Sequence, residues 1–344
     1  MDKLGLERGG SMNRQLVLPH LEPLEHCLSG HPLDGFEWRS EDLRFSPSGR
    51  LLAVATTQRR ILLFGVELAA RPVQAEFLTA LVSADLVAPH GVDWIDEAAL
   101  VVACRGGGGF AFFEIPRTNR WEPETEIRTV SIVRSKWFGA PGETRHLRAR
   151  PIITGPGSAR IHDGCIYAGS NKSNTITRHR ILERFSCDDG ELIAQEDIEI
   201  PDSAAVSPDG AWLAVGDHDH HRVLIFRAGE AQPCGQLSDP RMRYPHGVAF
   251  DQSGMALIST DAGGRGLYVF HAPGGAWNLT RAAAASCAEG VAETVFDRVQ
   301  SETAESFRAL EGGTKGIDLS RDGRVLATTC RGQTLRFFAL HAAS

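Results

Sequence analysis

Apolar residues along this chain come in short runs cut by turns rich in Asp, Gly and Pro, and one such phrase recurs about six times. The clearest copy reads Pro245-His246-Gly247-Val248-Ala249-Phe250, then Asp251-Gln252-Ser253-Gly254, an apolar stretch over 255–259, Asp261, and a last apolar run over 266–270. That pattern predicts strand, tight turn, strand, short loop, strand. The other copies span 41–64, 90–113, 159–181, 202–226 and 315–338, and the 159–181 copy is the most degraded. Their turns carry Ser46-Pro47-Ser48-Gly49, Ile95-Asp96-Glu97, His162-Asp163-Gly164, Ser207-Pro208-Asp209-Gly210 and Ser320-Arg321-Asp322-Gly323. Asp-Gly and Pro-Asp-Gly between β-rich runs specify hairpins, because glycine supplies a positive φ and proline presets the first one. Self-similarity at this period, with three or four strands per copy, predicts an all-β chain folded as a single β-propeller of four-stranded antiparallel blades, six in number, with seven as the alternative.

The last copy ends almost at the C-terminus and supplies three strands. Residues 15–28, with Leu16, Leu18, Leu21 and Leu24, are available as its outer strand, which would join the chain ends and remove an open edge. Residues 1–13 read as a flexible leader or cloning remnant, leaving 14–344 as one domain. Two connections are long. Residues 136–158 carry Arg145, His146, Arg148 and Arg150; residues 287–313 place Val291, Val295, Val299, Phe307 and Leu310 at helical spacing, which predicts an inserted amphipathic helix near 290–310. Such insertions serve as lids over a site or as covers for a sheet edge.

Composition narrows the function classes. The 344 residues are 42% hydrophobic and 23% charged, as expected of a globular domain, and a net charge of −7 argues against binding nucleic acid through its phosphates. No apolar stretch has the length of a membrane span, and there is no signal-peptide pattern, so the expected location is the cytoplasm with no membrane partner. Seven scattered cysteines without a CxxC pair fit reduced thiols. No dinucleotide fingerprint or phosphate loop is present, and neither a nucleotide nor a flavin cofactor is expected.

Aligning the copies on Phe45, Trp94, Val206, Phe250 and Leu319 puts Glu41, His90, Asp202, His246 and Lys315 four positions earlier, at the start of each first strand. First strands line a propeller's central channel, so these polar side chains should converge on one rim. The degraded copy offers Pro156 or Gly157 there. A second polar set, Thr56, Cys104, Asn171, Asp217, Asp261 and Cys330, falls at the ends of the second strands beside the first set. Apolar residues follow one or two places deeper.

The copies around 245–251 and 216–226 (Gly216-Asp217-His218-Asp219-His220-His221-Arg222-Val223) resemble the NHL-type propeller repeat, and Phe45-Ser46-Pro47-Ser48-Gly49-Arg50 resembles a WD-repeat. The resemblance covers most of residues 41–340 and is to a repeat class. Similar six-bladed propellers include gluconolactonase, strictosidine synthase, paraoxonase and amidating-lyase relatives, and it implies a divalent metal at the channel mouth in active members and protein or RNA binding in others. It also implies that Asp217, His221 and Arg222 stand at repeat positions that brace loops.

The candidate chemistry follows from the rim. His90, His246, Asp202, Asp217 and His218 are candidate ligands for a divalent metal, with calcium, magnesium and zinc all open. His90, His246, Glu41 and Lys315 are candidate catalytic groups for opening an ester, lactone or amide, or for elimination. His90 and His246 belong to blades on opposite walls and can share one ligand only if the mouth is narrow. Arg105, Arg148, Cys104, Asn171 and Cys330 are candidates for contacting substrate. The expected ligand is a small molecule; the alternative is a scaffold that binds a protein or peptide partner on the same face.

Overall fold

The computed structural model describes residues 18–30, 39–118, 120–134, 153–195, 197–278, 281–303 and 311–342. Six antiparallel sheets surround a central channel. Blade 1 holds β3 (Ser40–Phe45), β4 (Leu51–Thr56), β5 (Arg60–Glu67) and β6 (Val73–Val82); blade 2 holds β7 (Pro89–Asp96), β8 (Ala99–Cys104), β9 (Gly109–Glu114) and β11 (Arg128–Arg134). Blade 3 comprises β12 (Arg160–His162), β13 (Cys165–Ser170) and β14 (Thr175–Glu183), with β15 (Ser186–Cys187) and β16 (Glu191–Ala194) both on its outer edge. Blade 4 has β17 (Pro201–Val206), β18 (Trp212–Asp217), β19 (Arg222–Arg227) and β20 (Pro233–Leu237). Blade 5 has β21 (Pro245–Phe250), β22 (Ala256–Asp261), β23 (Gly266–His271) and β24 (Ser286–Glu289). The predicted six-bladed architecture is therefore the observed one.

Blade 6 consists of β25 (Thr314–Leu319), β26 (Val325–Cys330) and β27 (Gln333–His341), closed by β1 (His20–Leu24) running antiparallel from the other end of the chain. The closing strand is shorter than 15–28. After Glu25 the chain turns to blade 1, where β2 (His26–Ser29) pairs parallel with the first half of β6, and β10 (Glu124–Glu126) covers its second half. Both additions protect an otherwise open ten-residue edge strand.

The hairpin glycines act as the sequence predicts. Gly49, Gly164, Gly210, Gly254 and Gly323 all adopt φ near +70°, a region closed to most side chains. Four of them return their N–H to the turn's first carbonyl, as in Gly210 N to Ser207 O at 2.8 Å. Six apolar clusters fill the six spaces between blades. The blade 6–blade 1 cluster, for example, joins Leu43, Leu52 and Phe64 to Leu335 and Phe337, all almost wholly buried. Each such side chain stabilises the ring by about 1.5–3 kcal/mol relative to exposure.

The inserted helix is α1 (Glu293–Thr303), packed through Val299, with Val291 buried just before it. Phe307 and Leu310 lie outside the described residues, as do Leu16, the leader 1–13, and Arg145, His146, Arg148 and Arg150 of the other long connection. Among the described residues, no helix is long and apolar enough to cross a membrane.

Candidate metal centre at the channel mouth

Each rim residue sits where its first strand gains a residue over its partner. Ser40 and Asp42 pair with consecutive residues of β4, so Glu41 is the extra one; the same holds for His90 between Pro89 and Gly91 and for Asp202 between Pro201 and Ser203. His246-Gly247 and Lys315-Gly316 occupy the matching shifts in blades 5 and 6. A bulge bends the strand and re-aims one side chain, here into the channel. In blade 3 the Pro156–Ser170 bridge places the extra residue at Gly157, which answers the ambiguity of the degraded copy. Small residues follow the bulge in five blades because adjacent strands crowd there: a Cβ on Gly247 would meet Lys315 O at 2.4 Å, and one on Gly316 would meet Leu43 N at 2.7 Å.

Two positions beyond the rim, Leu43, Val92, Ala159, Ala204, Val248 and Ile317 are fully buried, the predicted apolar layer. One position further, four blades carry Arg44, Asp93, Arg160 and Asp318, a tier of alternating charge that the alignment did not single out. Its acids take backbone N–H groups of the next blade, Phe45 N to Asp318 Oδ2 at 2.9 Å and Ile161 N to Asp93 Oδ2 at 2.7 Å. Arg160 reaches Asp42 through two bonds of 2.8 Å, tying blade 3 to blade 1.

The mouth is narrow. The His90 and His246 rings stack with centroids 5.2 Å apart, and one nitrogen of each with one oxygen of Glu41 forms a buried group whose three atoms all lie within 4.8 Å of one another. His90 Nε2 is 3.5 Å from Glu41 Oε2 and 3.7 Å from Asp202 Oδ1; His246 Nε2 is 3.4 Å from Glu41 Oε2 and 3.8 Å from Asp202 Oδ2. His90 Nδ1 donates to the Gly157 carbonyl at 2.6 Å, which leaves Nε2 as the lone-pair nitrogen. That nitrogen is buried without a hydrogen-bond partner. Burial pushes the His90 imidazole down to about 4, against the pull of Glu41 and Asp202, so it is neutral at pH 7.

Glu41 is held by Lys315 Nζ at 2.7 Å and by Arg39 Nε at 2.7 Å, the latter out of line for a hydrogen bond. Burial alone would raise its carboxyl, but the Lys315 and Arg39 charges outweigh burial and keep it well below the usual range. Burial likewise opposes ionisation of Asp202, and the neighbouring His246 and His218, with Arg105, hold its carboxyl below the usual range. Asn171 Nδ2 donates to Asp202 Oδ1 and fixes that carboxylate, while Asn171 Oδ1 has no partner. Gly157 makes room for this contact, since a Cβ there would lie 2.5 Å from Asn171 Oδ1. Arg105 is near enough for its charge to favour ionised Asp202 and disfavour a proton on His90.

The other candidates are placed differently. His218 Nδ1 bonds Asp219 Oδ1 at 2.8 Å, and its ring stacks on Tyr244, so it flanks the tight group and stands 3.7 Å from Asp202 Oδ2. Asp217 turns away: it accepts Glu199 N at 2.7 Å and Arg222 Nε at 2.7 Å, a loop-bracing role. Asp261 braces Arg243, Tyr244 and Gly263 in the same manner, and Thr56 Oγ1 donates to Arg60 O. Cys104 and Cys330 give their thiols to the carbonyls of Asp85 and Gln333, and burial pushes both up to about 12, so neither presents a thiolate to the mouth. Two surface clefts, one lined by Glu114, Arg117 and Arg184 and the other by Tyr167, Leu192 and Trp212, lie outside the rim group.

Two residues of the mouth lie outside the repeat alignment. Arg39 precedes β3, and Glu311, between α1 and β25, sits 2.8 Å from Arg39 Nη2 and 2.7 Å from Lys315 Nζ. The only sequence signal for them is proximity to the rim positions Glu41 and Lys315. Compared with known proteins, the chain matches no family model and no curated protein.

Proposed function

We propose that this propeller is a small-molecule-acting enzyme of the hydrolase or lyase type, assisted by a divalent cation at Glu41, His90 and His246. The observation that carries this reading is the buried, unpartnered His90 Nε2 lone pair facing carboxylate oxygens of Glu41 and Asp202. Lys315 matches Glu41 Oε2, but nothing matches the His90 Nε2 lone pair beside it, and an unmatched buried acceptor costs about 1–3 kcal/mol. One carboxylate with two imidazoles suits zinc and the later transition metals better than calcium or magnesium. The resemblance of the repeats to NHL-type propellers supports the same place for a metal.

When bound, such a cation polarises a carbonyl or lowers the pKa of a water molecule. The chain's own groups would prepare that chemistry. Lys315 and Arg39 keep Glu41 ionised, Gly157 fixes the His90 ring through Nδ1, and Asn171 orients Asp202, which stands 3.8 Å from His246 Nε2. Asp202 and His218 are then the groups placed to move a proton beside the ligand. The scaffold reading requires these side chains to face outward. Glu41, His90, His246 and Lys315 are at most 4% exposed, which favours a ligand enclosed by the mouth over a flat docking face.

Metal analysis of protein purified without a histidine tag tests the reading. About one divalent ion per chain is expected, lost in the His90→Ala/His246→Ala variant. The reading falls if wild type binds no zinc, manganese or calcium in titration.

A further inference from the structure

Among the described residues, Glu311 is a carboxylate of the mouth that comes from outside the strands. Its Oε2 lies 2.8 Å from Arg39 Nη2 and 2.7 Å from Lys315 Nζ, and its Oε1 faces His218 Nε2 at 3.8 Å. His218 Nε2 is buried and has no hydrogen-bond partner, in a residue only 6% exposed. Arg39 and Lys315 also hold Glu41, which is fixed in β3. Without Glu311, Arg39 Nη2 and the Lys315 ammonium would each lose a partner and the two cations would share Glu41, with Asp202 the other carboxylate nearby. Such a set is an anion subsite beside the candidate metal ligands.

We propose that the ligand of this mouth carries a carboxylate that binds Arg39 and Lys315 beside His218, and that Glu311 is a built-in stand-in which the ligand displaces. The inference rests on the mouth being the ligand site. A carboxylate fits, because one Glu311 oxygen already bridges Arg39 and Lys315. The N–H groups of Gly312 and Gly313 both anchor to Ala262 O, at 3.0 and 2.9 Å, which holds the backbone just after Glu311 in place. The stand-in also explains how Arg39 and Lys315 stay neutralised at a buried mouth in the absence of ligand.

The test is calorimetric titration of chelator-treated, metal-free protein with malonate, and separately with inorganic phosphate. Metal-free protein separates this inference from the metal reading, since either can fail alone. Glu311→Ala should bind malonate at least ten-fold more tightly than wild type, and Glu311→Ala/Arg39→Gln should lose that gain. Circular dichroism checks the fold; should Glu311→Ala not fold, Glu311→Gln, which keeps the shape but not the charge, is expected to show the same direction. No gain in malonate affinity, a gain that survives loss of Arg39, or a preference for phosphate over malonate would each overturn the proposal.

Discussion

The imidazole rings of His90 and His246, from blades 2 and 5, lie face to face at 5.2 Å with planes 19° apart, so opposite walls of the propeller meet at its mouth. A single ion therefore has ligands from walls that the chain brings together only by closing the ring. His90→Gln and His246→Gln are each expected to weaken divalent-metal binding more than about 100-fold, beyond the 10- to 100-fold typical of outer-shell changes. Competition against a fluorescent zinc chelator measures this, and an unchanged affinity in either variant removes that histidine from the ligand set.

Gly157 supplies a carbonyl where the other five blades supply a side chain. Gly157→Ala would put a methyl 2.5 Å from Asn171 Oδ1 and so disturb both His90 and Asp202 without touching the candidate ligands. Metal affinity should fall about 10- to 100-fold, and stability by about 1–3 kcal/mol from overpacking. The comparison with Gly65→Ala, where φ is not positive and a Cβ would meet nothing closer than 3.6 Å, controls for glycine loss alone.

Lys315 and Glu41 form a buried ion pair across the closure of the ring, unlike the exposed pairs elsewhere on the surface. Lys315→Met leaves Glu41 with Arg39 alone and should cost about 3 kcal/mol, the low end for breaking a buried pair. Lys315→Met/Glu41→Gln should recover part of that loss, because no uncompensated charge remains. Urea denaturation of both variants checks the sign; a double variant no more stable than the single one would argue against the pairing.

Much of the ring was legible because a hairpin leaves local signs. The glycines of five turns and the first-strand spacing located Glu41, His90, Asp202, His246 and Lys315 at one rim. What brings them together was less visible: a bulge adds a residue without marking it by composition, so Gly157 read as a gap in the pattern. Asp217 and Cys330 shared strand-end positions with Asn171, yet only Asn171 reaches Asp202. That choice is made by side-chain length and by which neighbours already claim the group. Arg39, Glu311 and the charged tier of Arg44, Asp93, Arg160 and Asp318 depend on contacts between blades, which no single repeat encodes.

Thiol accessibility offers an independent check on the ring. Cys27 and Cys287 are exposed, whereas Cys104 and Cys330 are buried and pushed up to about 12. At pH 8 the first two should react with a chromogenic disulfide, and the last two only after unfolding. Mass spectrometry of the labelled peptides identifies the sites; rapid labelling of Cys104 or Cys330 in the native protein would contradict the strand packing around them.

Asp93 gives the fold a pH dependence that can be isolated. Burial drives its carboxyl up to about 7, with Arg44 and the N–H groups of Ile161 and Trp94 opposing and Asp318 reinforcing the rise. An unfolded Asp titrates near 3.9. Between about pH 4 and 7 the folded state thus holds a proton that the unfolded state has released, and this contribution to stability declines as pH rises, by up to about 1.4 kcal/mol per unit. His90, pushed down to about 4 from an ordinary 6.5, works in the opposite direction between those values, so the wild-type curve alone is ambiguous. Asp93→Asn removes only the first contribution. The stability of Asp93→Asn relative to wild type should therefore increase from pH 5 to pH 7, by about 2 kcal/mol after allowing for partial exposure of Asp93, and level off above pH 7. Urea denaturation at pH 5, 6, 7 and 8 gives the difference directly, and a constant difference across that range would mean that Asp93 is ionised in the folded ring.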